Sequence, residues 1–328
     1  MYDFGLSILE HYELTADTTY RGRGAIICET QEGLKIIREY HGSQKKLELL
    51  RQLQKQIEEA GIMKVDYIRV NREGSVISCD RDGIPYVVRD WFVGRECDTK
   101  SKTDILNSVS LMARLHKVMH MPIEENYCKE SLVEECRRHN REIKKIAKFV
   151  QKKQRKNSFE SVLINVIDEF LYQGEMVQQD LERSDYYKLR QDAMIEGSIC
   201  HGEYNQHNIL STEQGLSAVN GEKWNFDIQV TDLYQFVRKI MEKHNWDVEL
   251  GKMMIQEYCK EKPLTEAELI NLQLRLAYPW KFWKLANFYA NNHKAWISGK
   301  NAEKLKKLYK QKENWLFFVK SGFLDSFF

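Results

Sequence analysis

The chain has 328 residues, 42% of them hydrophobic, which is enough for two lobes with sizeable cores. Lys and Arg number 50 against 48 Asp and Glu, so the net charge of +2 excludes any global electrostatic case for nucleic acid or an anionic membrane surface. The 7 cysteines are odd in number, scattered and without a C-x-x-C pair; they read as reduced thiols, not as a zinc site or a disulfide framework. The opening MYDFGLSILEHYEL is too poor in apolar residues for a secretory signal. No run approaches the roughly 18 apolar residues of a membrane span. A cytoplasmic protein is expected.

From Tyr20 the sequence alternates strand and turn. YRGRGAIICET, a QEG turn and LKIIREY suit a hairpin, and VDYIRV, SVISC and IPYVVRDW read as three further strands. Between them, Ser43 to Ala60 carries Leu47, Leu50, Leu53 and Ile57 at helical spacing and is followed by Gly61. After DWFVGRECD the pattern turns helical. TDILNSVSLMARLHKVMH opens on Thr103 as its cap and places Ile105, Val109, Met112, Leu115 and Met119 on one face. The basic run from Arg137 to Lys156 reads as a solvated helix face, with a polyanion-binding patch as the competing reading. Tyr186 to Glu196 looks helical, and short strands SIC, NIL and LSAV follow. Near the C-terminus YPWKFWKLANFYANNHKAW puts seven aromatic residues into nineteen, a density that points to core. The expected organisation is α+β and bilobed: residues 1–94 form a small antiparallel β lobe with one helix. Residues 95–328 form a mainly helical lobe, with a loop region at 198–232.

That loop region holds the clearest chemical signal, CHGEYNQHNIL from Cys200 to Leu210. A His-Gly-acid followed by an Asn five residues after the acid is the layout of a phosphotransferase loop, in which the acid orients the nucleophile and the Asn holds a metal. Glu203 and His201 are therefore the catalytic candidates, and Asn208 a metal ligand. Gly22 and Gly24 in RGRGA leave room for a phosphate to approach the backbone. Lys35 and Arg38 in GLKIIREY are candidates for the phosphate-pairing cation; with period two they point to opposite faces, so only one can enter the cleft. Glu48 is the candidate partner for that cation on the following helix. The strand LSAV leads to Val219 and then Asn220, and Asp232 is a suitable cap for the next helix.

The loop resembles that of the aminoglycoside phosphotransferase and choline kinase superfamily. With RGRGAIICET, GLKIIREYHGS, YVVRDWFVGREC, ARLH, DIQVTDLYQFVRKIMEKHNWD and the aromatic block, the chain is similar over nearly its whole length to the CotS-like spore coat proteins. The resemblance implies a kinase-like fold, ATP and Mg2+ as cofactors, other spore coat proteins and a nucleotide as partners, neither membrane nor nucleic acid, and a path from the mother-cell cytoplasm to the coat. It also implies a metal-holding Asp twelve residues before Asp232, where this chain has Asn220, and it sets Arg38 at the lysine position. Taking the stretch Asn225 to Asp227 as the metal motif is the alternative. Glu203 lengthens the usual Asp by one methylene, and a misplacement of about 1 Å can cost roughly a hundredfold in rate. Asn220 removes a charge, leaving an amide as a weaker ligand for a hard cation. Three substitutions together imply a catalytically degenerate, pseudokinase-like coat protein that acts by binding. The alternative is an atypical ATP-dependent phosphotransferase acting on a small molecule or on a coat protein.

Overall fold

The structure is a computed structural model, and it describes residues 6–22, 24–292 and 299–320. Met1 to Gly5, Arg23 of the glycine-containing turn, and residues 293–296 at the end of the aromatic block lie outside the described residues.

Two compact units share the chain: residues 1–127 with 196–226, and residues 128–195 with 227–328. The first unit is built on a five-stranded antiparallel sheet in the order β1-β2-β3-β5-β4, formed by β1 (Ala16–Gly22), β2 (Ala25–Thr30), β3 (Gly33–Glu39), β4 (Ser78–Cys79) and β5 (Pro85–Asp90). Gly22 pairs with Ala25 across the β1–β2 connection, and Gly24 adopts φ +70, which a residue without Cβ takes readily. Helix α1 (Gln44–Glu59) crosses between β3 and β4 in sequence, burying Leu47, Leu50, Leu53 and Ile57 as its spacing predicts. VDYIRV is not a strand: it contributes a single bridge, Ile68 with Arg89, because the Gln54 side chain takes up the Asp66 carbonyl and the Ile68 N–H.

Helix α2 (Lys102–Val118) starts two residues earlier than predicted. Its cap is Ser101, which accepts from the Asp104 N–H, and not Thr103, which lies inside the first turn. Beyond β6 (Arg95–Glu96), three short strands frame the loop: β7 (Ile199–Cys200), β8 (Ile209–Thr212) and β9 (Gly215–Ala218). β7 pairs with β10 (Asn225–Phe226), and β8 lies between β6 and β9.

The second unit is helical: α3 (Leu132–Lys152), α4 (Ser158–Arg183), α5 (Tyr186–Ile195), α6 (Val230–Met241), α7 (Val248–Glu261), α8 (Glu266–Ala277), α9 (Trp280–Asn291), α10 (Gly299–Lys310) and α11 (Lys312–Lys320). The basic run lies mostly on α3, whose Cys136, Ile143, Ile146, Ala147 and Val150 are buried while Arg137 and Arg138 pair with Glu134, Glu182 and Glu130. The solvated-face reading therefore describes it. The described part of the aromatic block is core: Trp280 and Phe282 are buried, and Phe282 stacks on Phe170 at 4.4 Å. Asp232 does not cap α6; Gln229 precedes the helix, and Asp232 sits fully buried in its first turn.

Candidate functional site

Strand β3 decides which cation reaches the site. Its Ile36 packs into an apolar cluster with Ala25, Ile27, Trp91, Phe92, Leu210 and Val219, whereas Ile37 belongs to an opposite cluster with Ile8, Leu9, Cys28 and Val88. Alternation along the strand then puts Arg38 on the face of Ile36, and Lys35 on that of Ile37. The structure agrees. Lys35 is buried away from the loop, donating to the Glu32 carbonyl at 2.7 Å and pairing with Asp90 at 3.1 Å. Arg38 instead donates through Nη1 to Asn220 Oδ1 at 3.1 Å. Lys35 is thus not brought to the site. Neither is Glu48, an exposed residue of α1 that accepts from Gln44 at 2.9 Å. The polar residue that α1 turns inward is Gln54, which donates to the Asp66 carbonyl at 2.8 Å and accepts from the Ile68 N–H at 3.1 Å.

The loop keeps its scaffold. Gly202 has φ +81, and a Cβ there would lie 2.1 Å from the Lys223 carbonyl, so the step after His201 demands glycine. His201 is buried, with Nε2 donating to the Val219 carbonyl at 3.1 Å and Nδ1 accepting from the Glu203 N–H at 3.3 Å, partners that fix the Nε2–H tautomer. Asn208 Nδ2 donates to the Glu203 carbonyl at 2.9 Å, closing the loop on itself. Glu203 and Asn208 therefore lie together as predicted. The Glu203 side chain is exposed.

Asn220 follows β9 in a left-handed conformation, φ 62 and ψ 49, which Asn tolerates better than most residues. Its side-chain amide is used on both sides. Oδ1 accepts from Arg38 Nη1 at 3.1 Å and from Arg89 Nη2 at 3.2 Å, while Nδ2 donates to Asn208 Oδ1 at 2.9 Å. Its backbone N–H donates to Asp66 Oδ2 at 3.0 Å. Arg89, only 1% exposed, completes the cluster by pairing with Asp66 at 2.8 Å and Glu222 at 2.6 Å. Burial pushes the Glu222 carboxyl up, but Arg89, backbone hydrogen bonding and Arg38 outweigh it and hold the group below its ordinary value. For Asp66 burial wins, and its carboxyl stays above the ordinary range despite Arg89. Beneath α1, a cavity of about 30 Å3 lined by Leu50, Gln54, Asp66, His201 and Trp224 has room for water.

Arg89, Asp66, Glu222 and Gln54 were not among the sequence candidates. Arg89 had a signal: it sits at an inward position of the apolar strand YVVRDW, on the face of Val87, where a charge must find a buried partner. Asp66 was hidden in a segment read as strand. Asp227, the alternative metal ligand, belongs to the other unit, where it accepts from Thr231 Oγ1 at 2.8 Å and faces Arg190 and Arg275 at 3.7 Å each.

The residues present do not fit a divalent cation. The amide oxygen that would ligate it already accepts from two guanidinium groups, and a cation there would face both positive charges. Arg38 and Arg89 balance Asp66 and Glu222, leaving no surplus of negative charge to draw a metal. Among the described residues no group of three or more His, Cys, Asp or Glu is placed to hold a metal ion.

Comparison with known proteins agrees with this architecture. Spore coat protein S of Bacillus subtilis (strain 168) is 19% identical over 323 residues, covering 97% of this chain and 90% of that protein. An aminoglycoside phosphotransferase from Alicyclobacillus acidocaldarius superposes with a TM-score of 0.86 at 15% identity, over 98% of this chain and 95% of its own. Amicoumacin kinase hAmiN, solved with AMP-PNP, Ca2+ and Ami, superposes with a TM-score of 0.61 at 12% identity, over 99% of this chain and 97% of its own. The fold is therefore the kinase-like fold of the aminoglycoside phosphotransferases. The family described as "Spore coat putative kinase YutH" matches residues 6–321, and the chain belongs to that family.

Proposed function

We propose that this chain serves the spore coat as a kinase-fold binding component that does not transfer phosphate, its partners being other coat proteins. The observation that carries this reading is the side chain of Asn220, held by Arg38 and Arg89 where a metal-holding carboxylate is expected. Phosphoryl transfer depends on placed metal ions and an oriented nucleophile, since the protein contributes little covalent chemistry of its own. Here the first requirement has no carboxylate, and the second rests on an exposed Glu203, one methylene longer than the usual Asp. The assembly route runs from the mother-cell cytoplasm to the coat; no helix among the described residues is long and apolar enough to cross a membrane.

The test is direct. Purified chain is incubated with γ-labelled ATP and Mg2+ or Mn2+, alone and with solubilised coat protein, and labelled products and released phosphate are counted. No turnover above the protein-free blank is expected, together with retention of coat proteins on the immobilised chain. Sustained transfer would replace this reading with an atypical phosphotransferase acting on a small molecule or a coat protein. The closed hydrogen bonding of His201, Glu203 and Asn208 favours that second reading.

A further inference from the structure

We infer that the exposed face of α3 from Arg141 to Lys152 is a docking surface for a short acidic segment of a partner protein, a deepening that rests on the binding role proposed above. The net charge of +2 conceals a segregated distribution. The stretch from Arg141 to Lys156 holds eight Lys and Arg and a single acid, Glu142, for a local +7, while the rest of the chain, with 42 Lys and Arg against 47 Asp and Glu, carries −5. The basic run itself divides in two. In its first turns Arg137 and Arg138 are spent on Glu134, Glu182 and Glu130. Further on, Lys144 pairs with Glu175 and Lys153 with Glu160, and counting both acids still leaves +5. Arg141, Lys145, Lys148 and Lys152, with Arg155 and Lys156 in the connection to α4, are exposed and have no acid partner among the described residues.

Arg141, Lys145, Lys148 and Lys152 recur at steps of four, three and four, which makes them one stripe along the helix, roughly 16 Å long. Like charges at these spacings repel, so the stripe weakens α3 by itself and gains from carboxylates laid along it. Its length and surroundings select a short protein segment over other polyanions. A nucleic-acid duplex would run past the stripe onto a remainder that carries −5. A single strand needs rings in succession to stack on, whereas this face has one exposed ring, Phe149, and the Lys153 ammonium already lies over it at 4.9 Å. For an anionic membrane the helix would have to offer an apolar side, but Ile143, Ile146 and Val150 are buried in its own unit.

The experiment follows the binding of fluorescein-labelled decaglutamate to the full chain by fluorescence anisotropy, beside decaglutamine, a DNA duplex, and vesicles of phosphatidylcholine and phosphatidylserine. Decaglutamate should bind and decaglutamine should not, and raising NaCl from about 50 to about 300 mM should weaken decaglutamate at least tenfold, because exposed charges are screened. The triple variant Lys145→Gln, Lys148→Gln, Lys152→Gln should weaken it at least tenfold with no fall in melting temperature, since the substitutions relieve repulsion and break no ion pair. A second triple variant, Lys304→Gln, Lys306→Gln, Lys307→Gln on α10, makes the same change in net charge and should bind as the unaltered chain does. No binding of decaglutamate, undiminished binding by the α3 variant, an equal loss in the α10 variant, or tighter binding of DNA or vesicles than of decaglutamate would each overturn the inference. Coat proteins retained equally by the chain and by its α3 variant would remove this docking surface and leave the coat role. Phosphate transfer from ATP, by contrast, would remove the non-catalytic reading while leaving the decaglutamate result standing.

Discussion

Each compact unit buries an ionisable side chain, Arg89 in the first and His139 in the second, and the two are held in opposite ways. In the first unit Arg89 is matched to Asp66 at 2.8 Å and Glu222 at 2.6 Å, and tied through Asn220 to Arg38. In the second, His139 is equally buried but rests on indole rings, stacked on Trp283 at 3.5 Å and edge-on to Trp280 at 5.3 Å. Burial, helped by the charge of Arg138, depresses its pKa to about 3, so it stays neutral. Around Arg89 charge is kept inside by pairing it, and around His139 it is excluded by the surrounding rings, so the histidine behaves as core.

The sharpest way to break this contrast is Arg89→Ala. It leaves two acids buried without their partner and should cost about 3–5 kcal/mol in urea unfolding, far beyond the loss of one surface ion pair. A cost below about 1 kcal/mol would show that the network is not what holds this region. The histidine gives the next effect. Its folded pKa is lowered from 6.5, so the unfolded chain takes up the proton first, and stability present above pH 6.5 is lost as the pH falls toward 3. Allowing for solvent screening, the loss from this group between pH 7 and pH 4.5 should be on the order of 2 kcal/mol, and His139→Phe should flatten that part of the profile. An unchanged slope in the variant would assign the acid sensitivity elsewhere.

Asn220→Ala removes three side-chain hydrogen bonds and places Ala in the left-handed region, for an expected loss of about 2 kcal/mol. Asn220→Gly relieves the backbone part only, so the difference between the two variants measures conformational cost separately from the network. Smallest of all, Glu203→Gln should change stability by less than about 0.5 kcal/mol, since the side chain is exposed and the loop is held through its backbone carbonyl and N–H. A larger loss would mean that the carboxylate itself has a structural partner.

The strand and helix order of the first unit was legible because periodicity reports burial, and burial selected the elements: Leu47, Leu50, Leu53 and Ile57 lie where their spacing put them. The loop was legible because glycine and asparagine hold positions that few other residues can fill. Lys35 and Arg38 could not be separated from the strand alone, since alternation gives two faces without saying which one meets the loop; only the partners of Ile36 and Ile37 settle that. Glu48 was chosen for its charge, but the inward polar residue of α1 is an uncharged glutamine. Arg89 and Asp66 escaped because a buried ion pair joins residues far apart in sequence, and neither residue alone looks unusual.

Asn220 is followed by Gly221, the pair of neighbours in which an asparagine side chain most readily closes onto the next peptide nitrogen, loses ammonia and becomes an acid. In this fold the amide is fixed at its oxygen and its nitrogen, and the left-handed backbone is held by the Asp66 carboxylate, so the side chain is kept from turning back on its own chain. The same contacts that refuse a metal thus set the chemical lifetime of the site. Intact mass and peptide mapping after prolonged warm storage should show residue 220 still an amide in the folded chain and converted in the urea-unfolded one.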